Sequence, residues 1–422
     1  MRQSRRAVGR PIAQPVQSGR SGAISFERGP ITWLSYLMLA SCCYVQGSLG
    51  PAASFLRDEL RLNYTMVSLH LSVFAVGMVL AGSVAPRIAP AVRRSRLFWT
   101  GAWGLAAGAF ALLMSRSPVF SLAAVMATGS LWCLTVVSIQ AVLAERYGDR
   151  RAKATAITEA NLAGSIGSTC GAALLGALAT TPFGWRAALV VPLIVVGVLA
   201  LVWHRVPLEE ARTHPMAAGR SPIPRTFWIF WLILIVAVGI EWSVAFWIVP
   251  YFVDGLGLPK AVATLAAGGL FAAIVAGRVL GSHWTRRYSP DRLFLRTLLL
   301  TLGGFLLLWL PGLHLTARLV GLAITGVGIA NLFPLALSLG IQLGSANEDQ
   351  VSARCTAAVG IGLIVFPLLL GRIADTVDIR YALGFVVLPL LFLAVVLQEK
   401  HVQDLLRWGG RHLLPAGATA PR

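Results

Sequence analysis

Long apolar runs alternate with short polar breaks along almost the whole of this 422-residue chain. Twelve runs reach spanning length: 31–53, 65–86, 97–115, 119–143, 154–178, 187–204, 227–253, 261–284, 293–311, 316–341, 353–374 and 380–398. A helix needs ~20 such residues to cross the hydrocarbon core of a bilayer. Each run must be helical, because lipid offers no partner to an open backbone group. The pattern predicts an all-α membrane protein with twelve transmembrane helices.

The polar breaks carry a second pattern. Those after spans two, four, six and eight are basic, with Arg87, Arg93, Arg94 and Arg96, then Arg146, Arg150, Arg151 and Lys153, then Arg205, Arg212, Arg220 and Arg225, then Arg286, Arg287 and Arg292. The intervening breaks are sparse, with Arg116, Arg186 or Lys260 standing nearly alone. Lys and Arg gather on the cytoplasmic side, so both termini are expected in the cytosol, with the chain in the plasma (inner) membrane. Residues 1–30 read as a disordered cytosolic tail, with six arginines against the single acid Glu27 and no apolar core of a secretory signal. Residues 399–422 read as a cytosolic C-terminal tail.

Composition sharpens the class. Hydrophobic residues make up 56% of the chain and charged residues 13%, about half the ~25% of a soluble domain. The net charge of +19 would suggest nucleic acid in a soluble protein, but here it follows the breaks between spans, so no nucleic-acid partner is expected. Cys42, Cys43, Cys133, Cys170 and Cys355 all lie in apolar stretches and lack metal-ligand spacing, which makes them small core fillers and predicts no metal site. No nucleophile–base pair or G-x-x-x-x-G-K phosphate loop is visible, so the chain is not read as an enzyme and no cofactor is expected. Any energy must come from a gradient or from the substrate itself, with a proton gradient the leading expectation.

The two halves resemble each other. Gly77–Arg87 and Gly277–Arg286 share G-x-V-L followed by G-S-x-x-x-R, with one gap. Gly82 and Gly281 lie 199 residues apart, as do Pro51 and Pro250, and Gly176 and Gly371 lie 195 apart. Ordered matches at nearly one offset predict two pseudo-symmetric six-helix bundles, 31–204 and 227–398, joined by a polar cytosolic linker over 205–226.

The span count, linker, repeat and loop together resemble the major facilitator superfamily of transporters over nearly the whole chain. Gly82, Arg87, Arg93 and Arg94 match the glycine and basic positions of that family's loop after span two, and Gly281, Arg286 and Arg278 echo them in the second half. Pro86 and Thr285 stand where the family carries an Asp that helps latch the cytoplasmic side. Trp185–Arg186 and Gly371-Arg372-Ile373-Ala374-Asp375 are also typical. The resemblance implies alternating access around a central cavity lined by spans one, four, seven and ten, and assigns Arg278 to the loop network. Short matches to fucose-permease-like members (Val238–Tyr251) and to monocarboxylate-type members (Gly184-Trp185-Arg186) are weaker.

Those spans carry Gln46, Gln140, Glu241 and Asn331. Polar groups in hydrocarbon must face protein or water, so these four and Trp242 are the candidate substrate- or proton-binding residues. Glu241 either binds a proton or substrate, or is a structural carboxyl held by a neighbouring helix. Trp242 suits the face of a ring, or simply fills span seven. Asn331 shares a helix face with Pro334 and Ser338, and either contacts substrate or bonds another helix. Glu159 is expected to pair with Arg150, Arg151 or Lys153, and His70 to be a bonded core histidine. The leading expectation is a monomeric, proton-coupled importer of a small polar solute, a sugar or small organic acid. The alternative is proton-driven efflux of amphipathic or drug-like compounds.

Overall fold

The computed structural model describes residues 27–88, 92–147, 149–206, 208, 225–285, 287–343 and 348–412. Residues 1–26, most of the expected linker (207 and 209–224) and residues 413–422 lie outside the described residues. The described chain is built of helices: α1 (Pro30–Leu60), α2 (Tyr64–Ile88), α3 (Arg94–Met114), α4 (Pro118–Arg146), α5 (Arg150–Ala179), α6 (Val191–Trp203), α7 (Arg225–Pro250), α8 (Lys260–Trp284), α9 (Pro290–Trp309), α10 (Leu315–Ile329), α11 (Leu332–Leu343), α12 (Glu348–Ala374) and α13 (Ile379–His412). A single 3₁₀ turn, Trp185–Val190, leads into α6, and a π turn, Tyr251–Gly255, closes α7.

Local sequence explains the helix ends. Pro30, Pro118 and Pro290 occupy the first turns of α1, α4 and α9, where a missing N–H costs nothing. The Ser117 side chain accepts from the Phe120 N–H as the cap of α4. Gly184 enters the 3₁₀ turn at φ 69°, a conformation most residues avoid. Span ten is broken: α10 ends at Ile329, α11 begins at Leu332, and Pro334 denies the Ala330 carbonyl its i+4 donor. α13 is helical past residue 398, to His412.

Eleven helical stretches among the described residues are long and apolar enough to cross a membrane. The remaining long helix, α1, has 31 residues but is diluted by Ser, Tyr and Gln. Large apolar side chains face outward on many helices, among them Val119, Leu201, Phe385 and Phe392. So much exposed apolar surface marks a lipid-facing wall. The stretch Phe227–Gly255 is the exception, with 83% of its apolar window buried inside the protein. A helix apolar on every side belongs at the centre.

α1 packs on α5, and α4 on both α2 and α3, while α7 packs on α12 and α13, and α9 on α10. The two groups meet chiefly along α5–α8 and α2–α12. Glycines allow the closest contacts: Gly167 and Gly171 of α5 lie against the α1 backbone at Ala40 and Tyr44, leaving no room for a side chain.

Bonds between the groups concentrate at the end that carries the α1–α2 and α7–α8 connections. Arg57 pairs with Asp254 at 2.6 Å, and the Tyr64 hydroxyl donates to the same carboxylate at 3.0 Å. Lys260 pairs with Asp58 and donates to the Ser54 carbonyl. The Asp375 carboxylate accepts from the Tyr64 and Thr65 backbone N–H groups at 2.7 and 2.9 Å, so one half caps a helix of the other. At the opposite end the ion pairs among described residues, Arg28–Glu159 and Arg94–Glu145, stay within the first half.

Candidate functional site

A cavity of about 270 Å³ lies between the two groups of helices. α1 contributes Gln46, α4 Gln140, and α5 Asn161 and Ser165, while α7 contributes Glu241 and Trp242, and α8 contributes Arg278. Trp132, Phe271 and Phe333 supply aromatic wall. Gln140 and Asn161 are exposed, near the C-terminal end of α4 and the N-terminal end of α5. The cavity therefore opens toward the end opposite the inter-group bonds.

Its charges are one acid and one base. Glu241 Oε1 lies 3.9 Å from Arg278 Nη2, with side-chain exposures of 14% and 34%. That separation is too long for a hydrogen bond, and Glu241 makes none with the described residues. Arg278 Nη1 donates to the Ser165 hydroxyl across the α5–α8 contact. The side-chain carboxamides of Gln46, Gln140 and Asn161 have no hydrogen-bond partner among the described residues, so they are free to meet a guest or water. Trp132 instead donates its Nε1–H to the Cys42 carbonyl at 3.1 Å, which fixes its ring in the wall.

The structure brings four of the sequence candidates together, Gln46, Gln140, Glu241 and Trp242. Asn331 stands elsewhere. It is 7% exposed, its amide donates to the Gly277 carbonyl at 2.8 Å, and it lies against Gly281, which has no room for a side chain. The break in span ten places this residue against α8 and off the cavity wall. Arg278, assigned to the loop network by resemblance, sits on the cavity wall, because it lies a full turn and more inside α8, six residues before its end at Trp284.

Gly82 of α2 lies beside Cys133 of α4. Arg93 is exposed ahead of α3, and Arg94 pairs with Glu145 of α4. The side chain of Arg87 and all of Arg286 lie outside the described residues. Glu159 binds Arg28 at 2.6 and 2.8 Å and accepts from the Tyr36 hydroxyl at 3.0 Å. His70 donates or accepts at both ring nitrogens, to the Met66 carbonyl and the Ser121 hydroxyl, at 2.8 and 2.9 Å. Sequence reasoning passed over Ser165 and Arg318. The only sequence signal for Arg318 is a guanidinium placed just inside an apolar run.

A family model, the Major Facilitator Superfamily, matches residues 33–348. The chain belongs to the major facilitator superfamily. Solved structures agree on the fold. The chain is similar to a bacterial homologue of the human lysosomal transporter Spinster in an inward-facing, unoccupied conformation, at a TM-score of 0.70 and 13% identity, covering 91% of this chain and 99% of that one. It is also similar to a mutant of the nucleoside transporter NupG, at a TM-score of 0.71 and 12% identity, covering 89% and 99%. Membership of the superfamily makes this chain an integral, multi-pass membrane transporter, and the cavity between its halves is the candidate place for cargo.

Proposed function

We propose that this protein is a secondary transporter working by alternating access, with twelve spans (α1 the twelfth) in two pseudo-symmetric six-helix bundles, and that it takes up a small organic acid together with a proton. The carrying observation is the pair Glu241 and Arg278, facing each other at 3.9 Å in a cavity between the halves. A guanidinium there suits a carboxylate guest better than a sugar. When the guest's carboxylate engages Arg278, Glu241 loses its only nearby counter-charge among the described residues. A proton on Glu241 restores neutrality, and a neutral loaded carrier crosses the low-dielectric middle of the membrane at less cost than a charged one.

With the termini in the cytosol, the bonded end faces outward and the cavity opens inward. A reporter active only outside the cytosol, fused at residue 215, then gives no signal, and one at residue 116 does; the reverse pattern overturns the orientation. Glu241→Gln tests the coupling in proteoliposomes. Gln mimics the protonated acid, so proton-driven accumulation of a monocarboxylate is lost while counterflow exchange persists. Accumulation equal to the parent's, with the same pH profile, overturns the role.

The aromatic wall of Trp132, Trp242, Phe271 and Phe333 favours a second reading, export of amphipathic compounds. Under that reading, an imposed proton gradient drives such compounds against it, and short acids are not transported.

A further inference from the structure

The polar groups of the cavity are divided between its two sides. Both charges, Glu241 on α7 and Arg278 on α8, belong to the second half. The first half faces them with neutral groups only, the carboxamides of Gln46, Gln140 and Asn161 and the hydroxyls of Ser165 and Ser168, the latter bonded to the Cys43 carbonyl. Three carboxamides on three different helices, α1, α4 and α5, converge on one cavity, and none has a hydrogen-bond partner among the described residues. A carboxamide offers two donors and two acceptor lone pairs. In a spanning helix such a group is costly unless it faces protein partners or a hydrated pathway, and these three face the pathway. Among the described residues the only polar link across the cavity is Arg278 to Ser165, which joins the charged side to the neutral side directly.

We infer that the cavity selects a two-ended solute, a hydroxy-, keto- or amide-substituted carboxylic acid, whose carboxylate meets Arg278 while its neutral polar group is read by Gln46, Gln140 and Asn161. This rests on the proposed acid-binding role of Arg278 and adds to it a specificity set by the first half. Each half grips one end of the guest, so the guest replaces the direct Arg278–Ser165 link. A plain aliphatic acid satisfies one side and leaves the carboxamides facing an apolar chain, a mismatch that binding sites built for a polar group penalise. A polyol satisfies the amides and leaves the guanidinium without an anion.

The test uses the full-length protein in detergent for ligand-induced thermal shifts, and in liposomes for uptake. Three matched probe series of two to six carbons are compared: plain aliphatic monocarboxylates, their hydroxy-substituted forms, and diols of the same length. The expected result is that the best hydroxycarboxylate binds about tenfold more tightly than both its plain acid and its diol. Gln46→Leu combined with Gln140→Leu removes that advantage, so that the hydroxycarboxylate binds no more tightly than the plain acid. Arg278→Gln loses both acids. If the parent binds plain and hydroxylated acids equally, the two-ended selection is wrong and the acid-binding reading stands. If diols bind as well as acids, or Arg278→Gln leaves acid binding unchanged, the acid-binding reading itself fails. The comparison on the parent protein decides the matter even if the double variant does not fold, and Gln140→Ala, at the exposed mouth, provides a milder second variant.

Discussion

Arg318 shows how a single buried side chain is made tolerable in this protein. It is 7% exposed, yet its guanidinium donates to the Leu308 and Leu310 carbonyls at 2.8 and 2.9 Å and to the Tyr251 hydroxyl at 2.7 Å. These carbonyls close α9 and have no helical donor of their own. The planar fork of an Arg reaches these three acceptors and the Leu313 carbonyl at 3.2 Å as well, which the single ammonium of a Lys cannot do. Arg318→Met keeps much of the volume and takes the donor from the Leu310 and Leu313 carbonyls, while Leu308 keeps the Tyr251 hydroxyl, at about 1–3 kcal/mol for each group left bare. The expected outcome is a clearly lower melting temperature in detergent, with Arg318→Lys intermediate. Equal melting of Arg318→Met and the parent would show that water or lipid satisfies the carbonyls. Asn331 obeys the same rule: its amide is taken up by the Gly277 carbonyl.

At the scale of elements, the ends of α1, α3 and the turn into α6 are tied by one carboxylate. Glu59 accepts from the Trp185 Nε1–H at 2.7 Å and from Arg186 Nε and Nη2 at 3.2 and 2.5 Å. Arg186 also donates to the Leu113 and Ser115 carbonyls at the end of α3. Burial pushes the Glu59 carboxyl up, but the hydrogen bonds from Arg186 and Trp185 outweigh it and hold the group below the usual carboxylate range. A depressed folded-state pKa means that the contribution is full above the unfolded value and is lost as pH falls through the folded one. The melting-temperature advantage of the parent over Glu59→Gln is therefore largest near neutral pH and shrinks below about pH 4. An advantage that grows on acidification would reverse the assignment. The glycine column of α5 works at the same scale, since its value lies in letting two helices meet backbone to backbone.

For the whole molecule, the distribution of bonds between halves decides which end is shut. Asp375 caps α2 from the other half, and Asp254 and Asp58 hold Arg57 and Lys260 across the same seam. All of these must break for the cavity to open at that end. Losing a helix cap costs about 1 kcal/mol, a roughly fivefold change in a two-state ratio. Asp375→Ala is expected to shift the population toward the state open at this end. Spin-label distances between the α1–α2 and α7–α8 connections lengthen in a larger fraction of molecules, and thiol labelling of an introduced cysteine near residue 54 speeds up. Unchanged distances and labelling would mean that the cap bears no part of the closure.

Apolar run length alone determined that this chain is a bundle of membrane helices, because lipid leaves a backbone no alternative to internal hydrogen bonding. The cost of placing Gln46, Gln140 and Glu241 inside such runs was equally legible, since it depends on residue type and depth and not on neighbours. What those groups face was not. Asn331 and Arg278 carry similar sequence signals, a polar side chain inside an apolar run, yet one is bonded to Gly277 and the other looks into the cavity. The choice rests on helix rotation and on the break between α10 and α11, which come from packing of residues far apart in the chain. The cap of α2 by Asp375 joins positions 310 and 311 residues apart. No local pattern marks such a partner, because it exists only once the two halves have met.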